Sequence, residues 1–383
     1  MFRLFNISIY LLLAAFVAIC FGPAEWFAEP AEWFDESAGA GKKTAVALFS
    51  YHPEFCVVED ENKGLIKGLE EFGYLEGQDI VMHRFYMDTK RANKTVEDQE
   101  AAADALLKKI QGINPDILFI YDDDALRHIG GKLLDTGLPI VFAGVNLLPT
   151  RPDYAWKQDG SFTALVDSLE RPGHNITGVQ EKVHFSAGFQ LLHRIVPKAK
   201  TALFLSDNSL VGTELIRTAG GEGALDNPFI TIVKTAYTDR FETLKKLILD
   251  YQDKVDSIVL FVPWTLEDKG GNHVPQDQVV RWMLQNSKRP GIAYVDILAE
   301  EGYLCGMVVD MVEQGYYAGF LGSRILKGEH PAEMPVLDPV ANRIMINLAR
   351  ARQLGIDIPF EIYEDADVIF KKMSAYPEFA AEN

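Results

Sequence analysis

From Thr44 onward, short apolar runs alternate with amphipathic stretches along almost the whole chain. The apolar runs are continuous and are not broken by a polar residue at every second position. This is the pattern of strands that are buried on both faces. Such strands occur in parallel sheets that helices cover on both sides. The sequence therefore predicts an α/β protein built from doubly wound parallel sheets.

The alternation forms two similar halves on either side of the turn Pro172-Gly173-His174-Asn175. In the first half we predict strands at 44–49, 80–85, 117–121 and 140–143, and helices at 61–72, 96–110 and 125–134. In the second half we predict strands at 201–205, 230–235 and 257–261, and helices at 187–196, 211–219, 241–251 and 276–285. Strands at 291–294 and 306–309 and a helix at 314–326 are predicted after Pro290.

These elements predict two lobes, each a doubly wound parallel sheet, joined by a hinge that the chain crosses several times. The expected domains are a first lobe at 44–178, a second lobe at 179–289, a return to the first lobe at 290–334, and a C-terminal strand and helices across the hinge at 335–383. Residues 1–23 are expected to be a signal peptide and residues 24–43 an N-terminal extension.

The N-terminal segment is apolar but short. Arg3 precedes an uncharged run at 7–21, about fifteen residues long, whereas about 20 residues are needed to span a bilayer. This arrangement is typical of a secretory signal peptide and predicts a periplasmic protein, with an uncleaved membrane anchor as the alternative. The stretch that ends at Cys20 also resembles a lipoprotein cleavage box, although Ile19 occupies a position that normally takes a small residue.

The chain is strongly acidic, with 37 basic and 55 acidic residues and a formal net charge of −18. Phosphate backbones would repel such a chain, so we expect no nucleic-acid partner. Of the three cysteines, Cys20 would leave with the signal peptide or carry lipid. Cys56 and Cys305 could form a disulfide or remain free and buried.

In open parallel sheets, ligands bind in the crevice beyond the carboxyl ends of the strands. Polar, aromatic and acidic residues follow the predicted strands at those ends. The candidate ligand-binding residues are Ser50, Tyr51, His52, Tyr121, Asp122, Asp123, Asn146, Ser206, Asp207, Trp264, Tyr294 and Asp296.

The chemistry of these residue types indicates the class of ligand. Tyr51 and Trp264 could enclose a planar or apolar group, and Asp122 and its neighbours could pair with an ammonium group. Serines and helix N-termini could hold a carboxylate. Together they predict an amino acid or a related zwitterion or amine. The alternative for any one Asp or Ser ahead of a helix, such as Asp207, is that it only caps the helix.

The sequence lacks the motifs of the common catalytic sites. It contains no Gly-x-Ser-x-Gly elbow, no phosphate-binding loop, no His-Glu-x-x-His and no Cys-x-x-Cys. We therefore expect neither an enzyme nor a cofactor. The run from Asp122 to Asp124 could attract a hard cation, but adjacent residues cannot all face one ion at the start of a helix, so we expect no metal site.

Four stretches of the chain carry a family likeness. They are Gly68-Leu69 with Gly73-Tyr74-Leu75-Glu76-Gly77; Asn114-Pro115-Asp116-Ile117 with Leu138-Pro139-Ile140-Val141-Phe142-Ala143-Gly144-Val145; Pro172-Gly173-His174-Asn175-Ile176-Thr177-Gly178-Val179; and Asn347 with Ala351 and Leu354-Gly355-Ile356-Asp357-Ile358-Pro359. Their order and spacing resemble the periplasmic substrate-binding proteins of ABC transporters related to the tryptophan-binding type. The resemblance implies the type I periplasmic-binding-protein fold and a receptor that closes over a small molecule and delivers it to a membrane permease.

The chain departs from that family after the third strand. Relatives usually have a small Gly-Thr or Ser-Thr pair there, whereas this chain has Tyr121-Asp122-Asp123-Asp124. The acidic version is similar to extracytoplasmic sensor modules that are joined to histidine kinases. The leading interpretation is a monomeric transport receptor with an ABC permease as partner. The alternative is a ligand sensor that acts with a separate histidine kinase or chemoreceptor.

Overall fold

The computed structural model describes residues 41–215, 227–338 and 342–377. The predicted signal peptide and nearly all of the predicted N-terminal extension lie outside these ranges, as does the second half of the helix predicted at 211–219. Among the described helices, none has both the length and the apolar character that crossing a membrane requires.

The first lobe contains a sheet of five parallel strands, as the continuous apolar runs predict. In chain order the strands are Lys43–Phe49 (β1), Ile80–Tyr86 (β2), Ile117–Tyr121 (β3), Ile140–Val145 (β4) and Ile176–Gln180 (β5). Their spatial order is β2-β1-β3-β4-β5. The sequence does not predict β5, because Thr177 and Gly178 interrupt its apolar run.

Helices cover both faces of this sheet. Cys56–Glu71 (α1) and Val96–Ile113 (α2) are the two long ones. Leu65 of α1 belongs to the same apolar cluster as Ala47 of β1, whereas Ile110 of α2 belongs to the cluster of Val46, which points to the opposite face. In place of the helix predicted at 125–134, the structure has a series of short helical turns, which are Asp123–Ala125, the π-helical Leu126–Gly130 and Gly131–Leu133. A short hairpin of Ala155–Trp156 with Phe162–Thr163 follows β4.

The second lobe is built from two neighbouring ladders of strands. The first consists of Thr201–Ser206 (β6), Thr231–Tyr237 (β7) and Ser257–Leu260 (β8), which are parallel in the order β8-β6-β7. The second consists of Ile292–Ala293 (β9), Cys305–Val309 (β10), Asn342–Asn347 (β11) and Val368–Phe370 (β12) in the order β9-β10-β11-β12. Only the pairing of β10 with β11 is antiparallel among these strands. The amide of Ile258 donates to the carbonyl of Pro290 at 3.1 Å and joins the two ladders.

The remaining helices follow in chain order. They are Phe185–Ile195 (α3), Phe241–Tyr251 (α4), Gln276–Asn286 (α5), Asp296–Glu301 (α6), Met311–Leu326 (α7), Leu348–Leu354 (α8) and Phe360–Asp365 (α9), with a π-helical turn at Val211–Leu215 and a 3-10 turn at Pro331–Glu333.

The structure places one predicted segment differently. Strands β9 and β10 were expected in a return to the first lobe from residue 290, but they pair with β11 beside the second lobe's ladder. An apolar run shows that a strand is buried and does not show which sheet edge it joins. The return to the first lobe is made by α7, which packs along α1.

Glycines allow α1 and α7 to approach each other closely. A Cβ atom on Gly64 would lie 2.0 Å from the carbonyl oxygen of Val312, and one on Gly315 would lie 2.0 Å from the carbonyl oxygen of Glu61. Real side chains never come this close to a backbone atom, so only glycine fits at these positions. The contact holds the start of α7 against the first lobe.

The two lobes touch at one side of a cleft. Lys94, in the loop between β2 and α2, places Nζ 2.6 Å from Oε1 of Glu267 in the second lobe. The ring of Phe55, just before α1, meets the ring of Trp264 edge-on, with 5.5 Å between centroids. The cleft between the lobes therefore lies at the carboxyl ends of the strands, as the topology predicts.

Candidate functional site

A cavity that is partly open to solvent lies in this cleft and has walls from both lobes, and the empty space there, open solvent included, is about 420 Å³. Its polar lining consists of Tyr51, Asp122, Asn146 and Glu181. Its apolar lining includes the rings of Phe55, Phe261 and Trp264, five valines and Met311.

Asp122 follows β3 directly and has an unusual backbone conformation, with φ 66° and ψ 164°. Such values cost a non-glycine residue about 1–3 kcal/mol and persist only where surrounding contacts impose them. Here the amide of Asp122 donates to the carbonyl of Ala143 at 2.9 Å. The residue is 3% exposed, and its Oδ2 is buried without a hydrogen-bond partner among the residues that the structure describes. Burial, followed by the nearby carboxyl of Glu181, raises the pKa of Asp122 well above its usual range.

Glu181 follows β5 and reaches the same cavity. Its amide donates to the carbonyl of Val145 at 2.8 Å, and its Oε2 accepts from Nδ2 of Asn146 at 3.0 Å. Burial raises the pKa of Glu181 to about 8, and the carboxyl of Asp123 adds to the effect. Glu181 is not among the residues predicted from the sequence, because β5 was not predicted. A strand drawn through Ile176 to Val179 would have placed Glu181 at the end of a strand.

A third carboxyl group lies behind these two. Glu61 of α1 is fully buried, and neither of its carboxyl oxygens has a hydrogen-bond partner in the described part of the chain. A Cβ atom on Gly144 would lie 2.5 Å from Oε1 of Glu61 and 3.4 Å from Oδ1 of Asp122, which shows how close the two carboxyl groups are. Burial, then Asp122 and Glu181, raises the pKa of Glu61 well above its usual range. The polar end of the cavity is thus strongly acidic.

Aromatic rings form another part of the cavity wall. The rings of Tyr51 and Phe55 meet at 82° with 5.3 Å between centroids, and Phe55 in turn meets Trp264. Nζ of Lys90 lies 4.6 Å from the centroid of the Tyr51 ring, in the range of a cation–π contact. The cavity therefore joins an acidic end to an apolar and aromatic wall.

Comparison with known proteins gives the family. Residues 43–369 match the family model of the ABC transporter substrate binding protein. The chain belongs to this family. Substrate-binding proteins of ABC transporters are extracytoplasmic, and the family is one of solute-binding proteins.

Relatives agree with this membership. A "Tyrosine-binding protein" of Clostridioides difficile (strain R20291) is 23% identical over 306 residues, which cover 80% of this chain and 79% of the relative. A structure in complex with L-Trp from Streptococcus pneumonia matches with a TM-score of 0.68 at 20% identity, over 86% of this chain and all of that one. A ligand-free, open substrate-binding protein from Clostridium difficile matches with a TM-score of 0.62 at 21% identity, over 87% of this chain and all of that one. The resemblance predicted from the sequence, and the α/β class with the type I periplasmic-binding fold, are confirmed.

The structure divides the twelve residues predicted for the site of this substrate-binding protein. Tyr51, Asp122, Asn146 and Trp264 line the cavity. The other eight lie outside its lining, and they are Ser50, His52, Tyr121, Asp123, Ser206, Asp207, Tyr294 and Asp296.

Two of the eight are buried carboxylates that hold the lining residues in place. Asp123 accepts hydrogen bonds from the amide of Asn146 at 2.9 Å and from the hydroxyl of Tyr154 at 2.8 Å. Asp207 accepts one from the amide of Trp264 at 2.8 Å. Their oxygens accept hydrogen bonds from backbone amides and neighbouring hydroxyl groups, so these residues position the cavity wall and do not line the cavity.

Three others make contacts in the interior of the lobes. The hydroxyl of Ser50 donates to the carbonyl of Tyr121 and accepts from the amide of Ala125, both at 2.8 Å. The ring of Tyr121 is fully buried in the first lobe. The hydroxyl of Tyr294 donates to the carbonyl of Phe185 at 3.0 Å.

The last three lie near the cleft but outside the cavity. Nδ1 of His52 is 3.8 Å from Oδ1 of Asp88. Ser206 is fully buried at the end of β6. Asp296 is the first residue of α6, and its Oδ1 accepts from the amide of Ile297 at 2.7 Å.

Proposed function

We propose that this chain is an extracytoplasmic solute receptor that captures a small molecule, an amino acid or a related zwitterion or amine, between its two lobes and delivers it to an ABC permease. One observation carries the proposal. The acidic and aromatic walls of a single cavity come from both lobes, since Asp122 belongs to the first lobe and Trp264 to the second.

A ligand in such a cavity contacts both lobes at once. It therefore binds the closed arrangement more tightly than an open one, and this difference in affinity drives closure. A permease that recognises the closed receptor then receives only loaded molecules. The contact of Phe55 with Trp264 and the ion pair of Lys94 with Glu267 are formed when the lobes are closed.

The relatives support the class of ligand. One is named a tyrosine-binding protein, and another was solved in complex with L-Trp. The aromatic wall of this cavity suits ligands with an aromatic or apolar body, and the carboxyl groups of Asp122 and Glu181 suit an ammonium group.

Thermal shift measurements with a panel of amino acids and small amines test the proposal. A ligand present at 100 times its Kd stabilises the folded state by about 2.7 kcal/mol, which a melting curve resolves. We expect Trp264→Ala to reduce the shift and Phe360→Ala to leave it unchanged, because Phe360 is 74% exposed on α9. A panel in which no member stabilises the protein would refute this ligand class.

A further inference from the structure

We infer that the cavity selects an amine cation that has an apolar or aromatic body and no carboxylate group. The inference rests on the proposed function and narrows its ligand class. It follows from the polar atoms at the acidic end of the cavity and from the balance of charge around them.

The acidic end offers hydrogen-bond acceptors that lack donors. Oδ2 of Asp122 and Oδ1 of Asn146 are both buried without a partner among the described residues. Glu181 adds a carboxylate that is 6% exposed and receives one side-chain hydrogen bond, from Asn146. A primary ammonium group carries three N–H donors and a positive charge, so it could satisfy these acceptors together.

The described lining of the cavity offers little to a carboxylate. It contains no Lys, Arg, His, Ser or Thr side chain. Helix α7 begins at the cavity with Met311, but Asp310 already accepts hydrogen bonds from the amides of Val312 and Glu313 at its N-terminus. A ligand carboxylate would therefore be buried near Asp122 and Glu181 without a cationic partner in the described wall, and burying an unpaired anion is costly.

Lys90 determines the balance of charge. It is 4% exposed, and no carboxylate oxygen of the described residues lies within 4.0 Å of its ammonium group. Its charge lowers the pKa of Asp122, although burial of that carboxyl has the larger and opposite effect. Burial disfavours the ionised forms of Asp122 and Glu181, so a positive charge nearby is needed to favour them. Lys90 supplies one such charge, which it shares between Asp122 and Asp207. A ligand with a net charge of +1 supplies a second, whereas a zwitterion adds no net positive charge.

Matched pairs of probes test the inference by isothermal titration calorimetry. The pairs are tyramine with tyrosine and tryptamine with tryptophan, and the neutral alcohols tyrosol and tryptophol report the contribution of the ring alone. We expect an amine to bind at least tenfold more tightly than both its amino acid and its alcohol, because a hydrogen bond to a charged group is worth about tenfold or more in affinity.

Variants separate the groups that carry the effect. We expect Asp122→Asn and Glu181→Gln each to weaken amine binding about ten- to hundredfold. We expect Lys90→Met not to weaken amine binding, since it removes a positive charge that shares the carboxyl group of Asp122 with the ammonium group of the ligand. Glu170→Gln, on an exposed loop, serves as the charge-removal control. A melting curve of each variant shows whether it is folded.

The outcomes are distinguishable. Tyrosine or tryptophan binding as tightly as its amine, with the binding lost in Lys90→Met, would overturn the inference and leave the proposed function standing. Equal binding of an amine and its alcohol would also overturn it. If no probe binds, the inference fails, and the wider panel described above decides separately whether the proposed function fails with it.

Discussion

Replacing Glu181 by glutamine should stabilise the protein in the absence of ligand, and by more at higher pH. Burial and the carboxyl of Asp123 raise the pKa of Glu181 from the ordinary 4.5 to about 8 in the folded protein. Between pH 4.5 and about pH 8, the carboxyl group of Glu181 keeps its proton in the folded protein and has lost it in the unfolded chain. The contribution of Glu181 to stability is therefore present below pH 4.5 and is lost as the pH rises to about 8.

The size of the effect follows from the two pKa values. At pH 7 the solution is about 2.5 pH units above the ordinary pKa of Glu181, and each unit corresponds to 1.36 kcal/mol. The folded state at pH 7 is thus less stable by about 3 kcal/mol than it would be with a neutral side chain at this position. Glutamine has the same shape, and its amide oxygen can keep the hydrogen bond from Nδ2 of Asn146.

Denaturant or thermal unfolding of the ligand-free protein between pH 5 and pH 8.5 measures this difference. We expect the melting temperatures of Glu181→Gln and wild type to be similar near pH 5 and to separate steadily with rising pH. Glu170→Gln, on the surface, should follow wild type throughout. A variant that is less stable than wild type at pH 8, or a difference that does not grow with pH, would refute the reasoning.

Further predictions concern the backbone, the helix contact and the cleft. Asp122→Gly should stabilise the ligand-free protein by about 1–3 kcal/mol, as measured by unfolding, because glycine adopts the φ of 66° without strain. A loss of stability would show that the carboxyl group of Asp122 stabilises the protein by more than its backbone conformation destabilises it. Gly315→Ala should lower the melting temperature by at least several degrees, since its Cβ would lie 2.0 Å from a carbonyl oxygen, whereas Gly112→Ala, where nothing lies within 4 Å, should be neutral or slightly stabilising. Lys94→Ala should favour the open arrangement and so give a larger radius of gyration by small-angle X-ray scattering. The loss of ligand affinity should be less than tenfold, because a partly exposed ion pair with Glu267 contributes about 1 kcal/mol or less. An unchanged radius of gyration would argue against a role of Lys94 in closure.

Much of the fold could be predicted because strands that are buried on both faces have a continuous apolar sequence, which is easy to recognise. The strand at Ile117–Tyr121 and the helix at Phe241–Tyr251 have the predicted bounds, and both have strong apolar patterns. The strand Ile176–Gln180 does not have such a pattern, since it includes Thr177 and Gly178. Its buried threonine hydroxyl donates to the carbonyl of Met334, a contact that no local pattern reveals.

The sequence predicted where the candidate site lies but did not predict which residues line it. The ends of the strands do surround the cavity, and Asp122 and Trp264 were found in this way. Neighbouring residues at the same ends, such as Asp123 and Asp207, use their oxygens to hold backbone amides. Which of two adjacent acidic residues faces the ligand depends on local backbone angles, here the positive φ of Asp122, and these are set by tertiary contacts.

The close glycine contact between helices α1 and α7 joins parts of the chain that are made at very different times. Gly64 and Gly315 are about 250 residues apart in sequence, and a ribosome adds about 5–20 residues per second. Helix α1 therefore waits roughly 10–50 seconds after its synthesis for its packing partner. The face of α1 that α7 covers therefore lacks this partner in the early part of the chain, so the amino-terminal lobe is completed only after the segment beyond residue 310 has joined it.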